Sequence, residues 1–176
     1  MVIGKKIILK KVERKSLEQL REWRNNPELR KYFREYRHIN KENQQRWYES
    51  KVLGDPDQYN FEIRTKENKL IGHCGLYYIN SVMRTGEFGI YIGDDGYRSG
   101  GYGSDALRTL IKYGFEDLNL NRIWCEVYDN NAALEIYKHI GFIYEGKMRE
   151  NYYNEGKYWD SHILGMLKKE YNEKYK

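Results

Sequence analysis

Between residues 93 and 103 the chain reads Gly93-Asp94-Asp95-Gly96-Tyr97-Arg98-Ser99-Gly100-Gly101-Tyr102-Gly103, and this segment restricts the fold more than any other. Before it, Phe88, Ile90 and Ile92 alternate with small or polar residues, the pattern of a strand. After it, Ala106, Leu107, Leu110, Ile111 and Phe115 share one face of a helix over roughly 101–118. The loop therefore delivers a strand into a helix. Amides at a helix start have no partner within the helix and carry partial positive charge, so phosphates bind there. Glycines let the backbone approach an anion closely. Arg98 adds a full charge and Ser104 a hydroxyl, which makes the segment a candidate pyrophosphate cradle.

Three other readings compete. The loop is also compatible with a flexible connection and a plain helix cap. Gly101-Tyr102-Gly103-Ser104-Asp105-Ala106 fits the G-x-G-x-x-A dinucleotide fingerprint, with Glu126 near the place of a ribose-binding acid. Against this, the fingerprint turn follows its strand closely, whereas a long charged loop separates Ile92 from Gly101 here. A P-loop is excluded, because no G-x-x-x-x-G-K is present.

The remaining chain supplies a mixed α/β (α+β) pattern. Ile7 to Val12 reads as a strand. Ser16 is a candidate cap for a helix from Leu17 to Asn25-Asn26, with Leu17, Leu20 and Trp23 on one face. Pro27 fits the first turn of a short helix through Phe33, and Asn40 caps a third helix to about Leu53. Tyr59–Thr65, Leu70–Ile79 and Thr85–Ile92 form an antiparallel meander. Arg122–Val127 is a strand, and Asn130–His139 a helix stopped by Gly141. Phe142–Tyr153 and Tyr158–Leu167 close the chain around the turn at 154–157. The predicted order is β, two or three helices, βββ, α, β, α, ββ, with a largely antiparallel sheet. The strand–helix–strand unit at 85–127 is expected to be a right-handed crossover.

With 176 residues, two prolines and no low-complexity linker, a single domain over 1–176 is expected. Apolar residues make up 40% and charged residues 32%, a globular balance. No stretch approaches the ~20 apolar residues that span a bilayer, and the N-terminus lacks a signal-peptide pattern. No membrane association and a cytoplasmic location are the expectations. The net charge of +5 is modest and scattered and would serve nucleic acid or a small polyanionic ligand equally well, but without an arginine-rich tract or binding motif a nucleic-acid partner is not expected. The two cysteines, Cys74 and Cys125, lie in apolar strands and read as reduced, half-buried thiols, with no metal spacing. The lysine-rich tail after Leu167 reads as a solvated helix end or a frayed terminus.

Arg98-x-x-Gly101-x-Gly103, followed by Asn130-x-x-Ala133-x-x-x-Tyr137-x-x-x-Gly141-Phe142, resembles the paired signature of GNAT N-acetyltransferases. The resemblance runs from Ile7 to the end. The segment from Glu145 to Asp160 is similar to the branch holding ribosomal-protein N-terminal, spermidine and some amino-sugar acetyltransferases.

The resemblance implies acetyl-CoA as cosubstrate, lying between two splayed central strands. Arg98, Ser99, Gly100, Gly101, Tyr102, Gly103 and Ser104 would hold its pyrophosphate, and Gly89, Ile90, Tyr91 and Ile92 its pantetheine arm. Asn130 would bind that arm or simply cap its helix, and Ala133 would leave room. Glu87 is the candidate base, acting through a water, and Tyr137 the candidate donor to the leaving thiolate. A backbone amide near Ile90 would meet the developing oxyanion. Arg24, Asn25, Glu28, Tyr32 and Phe33 are candidate acceptor-site residues. Along this segment Arg30, Lys31, Arg34 and Arg37 outnumber Glu28 and Glu35, which tilts the acceptor weakly away from spermidine, toward a nucleotide-linked amino sugar or a peptide N-terminus. The expected order is a protein or peptide N-terminus, then an amino sugar, then a polyamine. The alternative is a non-catalytic acyl-CoA sensor of the same fold. A homodimer is possible among such relatives, and no metal is expected. His73, beside Gly72 and Gly75, reads as structural.

Overall fold

A computed structural model describes residues 1–129 and 131–176. Eight strands among these residues form one sheet in the order β1-β2-β3-β4-β5-β6-β8-β7. They are β1 (Val2–Ile3), β2 (Ile7–Lys11), β3 (Tyr59–Thr65), β4 (Leu70–Asn80), β5 (Thr85–Ile92), β6 (Arg122–Tyr128), β7 (Ile143–Asn154) and β8 (Lys157–Leu167). Every neighbouring pair is antiparallel except β5 and β6. A parallel pair needs a crossover, and α4 (Tyr102–Lys112), continued by a wider turn to Asp117, supplies it.

The period-two alternation of the strands decides which helix covers which face. Phe61 and Ile63 on β3, Cys74 and Leu76 on β4, and Phe88 on β5 point into the main core with Leu107, Leu110, Ile111 and Phe115 of α4. α5 (Ala133–Ile140) also borders that core, through Leu134, Tyr137 and Ile140. On the opposite face lie α1 (Leu17–Asn25), α2 (Pro27–Arg30) and α3 (Lys41–Trp47), with a wider turn continuing α3 to Leu53. A smaller cluster of Val12, Leu17, Leu20 and Tyr48, flanked by Trp23 and Trp47, holds these helices. Glu62 and Arg64 of β3 face this side as a buried pair at 2.6 Å.

Several local expectations change. Ser16 does not cap α1: it closes a 3-10 turn, and its hydroxyl accepts from Arg64 Nη2 at 3.2 Å. Asn26 caps α2, accepting from the Glu28 amide, and α2 ends at Arg30 rather than Phe33. Asn40 caps α3 as expected, accepting from the Asn43 amide at 2.7 Å. Of the two readings of the tail the helix holds: α6 (Lys168–Tyr175) exposes Lys169 and Lys174 to solvent while burying Tyr171 against Phe115. Both cysteines are fully buried rather than half-buried, and burial pushes their thiols up. β1 lay beneath notice in the sequence, being two residues long. Gly141 stops α5 with a φ of 118°, and Glu155 and Gly156 turn β7 into β8 with positive φ at both positions.

Candidate active site

β5 and β6 pair only at Thr85–Arg122, Gly86–Ile123 and Glu87–Trp124. Beyond Glu87, β5 stays on β4 as far as Ile92, and β6 stays on β8 as far as Tyr128. The facing edges of 88–92 and 125–128 thus form no ladder with each other. An open strand edge is a place where an extended ligand can be added as another strand. A cavity of about 1030 Å³ fills this fork and reaches from Ser99–Gly101 to the acceptor-side helices.

The loop before α4 is built for close approach by a ligand. Gly100 and Gly101 both have φ of 82°, a region that side-chain-bearing residues rarely adopt. A Cβ placed on Gly101 would meet nothing within 4 Å, so the backbone there borders open space. Buried Asp105 fixes this loop to the start of β2 by accepting from the amides of Lys6 at 2.6 Å and Ile7 at 3.2 Å. Lys6 Nζ adds a bond to the Gly100 carbonyl at 2.6 Å. Sequence reasoning missed Asp105, because its partners lie about a hundred residues away. Arg98, Ser99, Gly100, Gly101, Gly103, Ser104 and Ala133 line the cavity with Gly89, Ile90, Tyr91 and Ile92. The Tyr102 ring does not: it packs edge-on against Tyr97 at 5.1 Å and takes Lys6 on its face. Arg98 folds back onto the carbonyls of Ile92 and Gly93 and pairs with Asp95 at 2.6 Å. Asn130 lies outside the described residues. Asn131, next to it, accepts from the Ala133 amide at 2.9 Å and so supports the start of α5.

Tyr137 lies in the same cavity, edge-on to Phe88 at 5.0 Å. Burial raises its phenol pKa, with nearby Cys125 adding, which keeps the hydroxyl protonated. Glu87 is buried at the point where the fork opens, and both its oxygens are occupied by Arg34, at 2.5 and 3.1 Å. The same guanidinium reaches Glu126 at 2.6 Å, and Asn151 Nδ2 donates to the other Glu126 oxygen at 2.7 Å. Partial burial alone would lower the Arg34 pKa, but the two carboxylates raise it overall, so Arg34 is a fixed cation between two acids. Arg34 was visible in the sequence only as one basic residue among several; its pairing depends on strands some fifty and ninety residues away.

Of the acceptor-side candidates, Arg24, Glu28, Tyr32 and Phe33 line the cavity. Asn25 does not: it clasps the backbone of Ile39, donating to its carbonyl and accepting from its amide at 2.8 Å each. It therefore positions the segment between α2 and α3. Tyr152 of β7 supports that segment from below, donating to the Lys31 carbonyl at 3.0 Å. His73 also faces the cavity; burial, with Arg24 second, lowers its pKa to about 3. No cluster of metal-ligating side chains occurs among the described residues.

A fork between parallel strands, a glycine loop at a helix start and a tyrosine at the fork meet in one cavity, and residues 6–143 match the family model described as an acetyltransferase (GNAT) domain. The chain belongs to the GNAT acetyltransferase family. It is an N-acetyltransferase that uses acetyl-CoA, and the open edge of β5 and the cradle at 98–104 fit that cosubstrate. The GNAT chain is 26% identical to a spermidine N(1)-acetyltransferase of Vibrio cholerae over 96% of its length and 97% of the relative's. It is 33% identical to a proposed ribosomal N-acetyltransferase of Bacillus subtilis, over 60% of its length and 57% of the relative's. The structure of spermidine N-acetyltransferase from Vibrio cholerae in complex with CoA and spermine superposes with a TM-score of 0.88 at 26% identity, covering 95% of this GNAT chain and 98% of that one. No helix among the described residues is long and apolar enough to cross a membrane.

Proposed function

We propose that the chain moves the acetyl group from acetyl-CoA to a primary amine by direct attack, with both substrates bound at once. The observation that carries this is the single cavity joining the cradle at 98–104, the fork with Glu87 and Tyr137, and the acceptor-side residues Arg24, Tyr32 and Phe33. The amides of 98–104, backed by Arg98, hold the pyrophosphate, and the free edge of Gly89–Ile92 holds the pantetheine arm. An alkyl ammonium has a pKa of ~10.4, so the incoming amine must lose a proton before it attacks. Glu87 receives that proton, directly or through water, as the ammonium competes with Arg34 for its carboxylate. Tyr137 donates to the departing thiolate.

Relatives named for spermidine bring polyamines forward from the last place that the sequence reading assigned them. The test is a thermal shift with acetyl-CoA, CoA and NAD, followed by free-thiol release with polyamines, amino sugars and peptides. Stabilisation by the two CoA species alone, with thiol release on adding an amine, is expected. CoA binding without release from any amine would leave a binding module, and no response to CoA would remove the assignment.

A further inference from the structure

A second chamber of about 720 Å³ opens beside the main cavity, on the side of α1 and α3, and the two share Arg24, Glu35, Trp47, His73 and Tyr91. Its charge is one-sided. Arg24, Arg37, Arg46 and Lys51 line it, against the single acid Glu35. Glu35 is already held by Arg37, through contacts at 2.8 and 2.6 Å, which lower its carboxyl pKa to about 2. Lys51 is held by Asp55 at 3.0 Å. Arg24 makes no salt-bridge contact within 4.0 Å among the described residues, although its charge is felt by Glu35: it stacks over Phe33 at 4.5 Å, and its buried Nε has no hydrogen-bond partner. His73 is 5% exposed, and its buried Nε2 also lacks a partner. A buried polar atom left unpaired costs about 1–3 kcal/mol; Arg24 Nε is a donor, and His73 Nε2 is one in the tautomer that carries its proton there, so the junction offers a place for a ligand's acceptor atoms. The acids along the main cavity are all engaged: Glu28 by Lys31, Glu35 by Arg37, and Glu87 and Glu126 by Arg34. A polycation would have to displace these internal cations. An anion would displace nothing at Arg24.

We propose that this chamber holds an anionic group of the acceptor, a carboxylate or a phosphate, while the acceptor's amine reacts beside Glu87. The proposal rests on the acetyl-transfer reading above and names its substrate class. Glu87 and Tyr91 lie on the same face of β5, four residues apart, which corresponds to roughly 13 Å along a strand. The acceptor therefore carries its amine and its anion on the order of 10 Å apart. Neutral His73 donates from Nε2 in one tautomer, and Arg24 supplies the charge.

The experiment measures thiol release with acetyl-CoA and matched amines: triglycine against triglycinamide, glucosamine 6-phosphate against glucosamine, and spermidine alone. The anionic member of at least one pair is expected to show kcat/KM about tenfold higher, through KM; the peptide and sugar pairs distinguish carboxylate from phosphate. Arg24→Gln is expected to bring that ratio toward one, and its unchanged stabilisation by CoA confirms that it folds. Arg46→Glu, on the exposed rim, reduces the ratio in the same direction. A preference for spermidine or for the neutral members, or a ratio that survives Arg24→Gln, overturns the acceptor class and leaves acetyl transfer standing. Anions that raise the melting temperature without being acetylated overturn it as well, making the chamber an effector site. No release from any amine overturns both readings.

Discussion

α5 sets Tyr137 at the fork against Phe88, and under the proposed mechanism its hydroxyl is the group that acts. Tyr137→Phe keeps the ring contact and removes the proton, so kcat should fall about 100-fold with CoA affinity retained, as single-turnover and binding measurements would show. Arg34 is the opposite case. It neutralises two buried acids, and Arg34→Gln leaves Glu87 and Glu126 facing each other. The Arg34 side chain is 47% exposed, which limits the loss to about 1–2 kcal/mol in urea unfolding. His73 gives a pH signature. Its pKa falls from 6.5 unfolded to about 3 folded, so between those values the unfolded chain binds a proton that the folded one refuses. Its contribution is intact above 6.5 and erodes on acidification, at up to about 1.4 kcal/mol per pH unit. Urea midpoints should fall more steeply below pH 6.5 for the wild type than for His73→Gln. Equal slopes would mean that the imidazole is hydrated.

At the scale of elements, two glycines govern how strand, loop and helix meet. Gly93 ends β5 directly beneath Trp23 of α1, and an added methyl there would overlap the indole ring. Gly93→Ala should therefore destabilise by about 1–3 kcal/mol, because both the ring and the strand end are fixed. Gly101 has open space at its Cβ but a φ of 82°, so Gly101→Ala meets strain rather than a clash. It should cost about 1 kcal/mol and weaken CoA several-fold in a titration; undiminished affinity would remove the cradle from the binding site. The glycine loop, α4 and the stop at Gly141 were legible in the sequence, since each depends on residues close together in the chain. Ser16 was misread for the opposite reason: its hydroxyl bonds to Arg64, a strand residue that local capping rules do not see.

For the whole molecule, acetyl-CoA at a hundred times its Kd should stabilise the fold by about 2.7 kcal/mol, or roughly 5–10 °C in melting temperature. The sequence by itself determined the mixed sheet, its strand order along the chain and the glycine loop before α4, because strand alternation, helix period and glycine placement are local properties. Tertiary structure decided the rest. It ended the β5–β6 ladder at Glu87 and Trp124, which opens the fork. It set Arg34 between two acids from different strands, turned the Tyr102 ring out of the cavity, and left Arg24 and His73 with unpaired nitrogens in a basic chamber. These features depend on which charges and rings remain without partners once distant segments pack, and no local pattern in the chain records that.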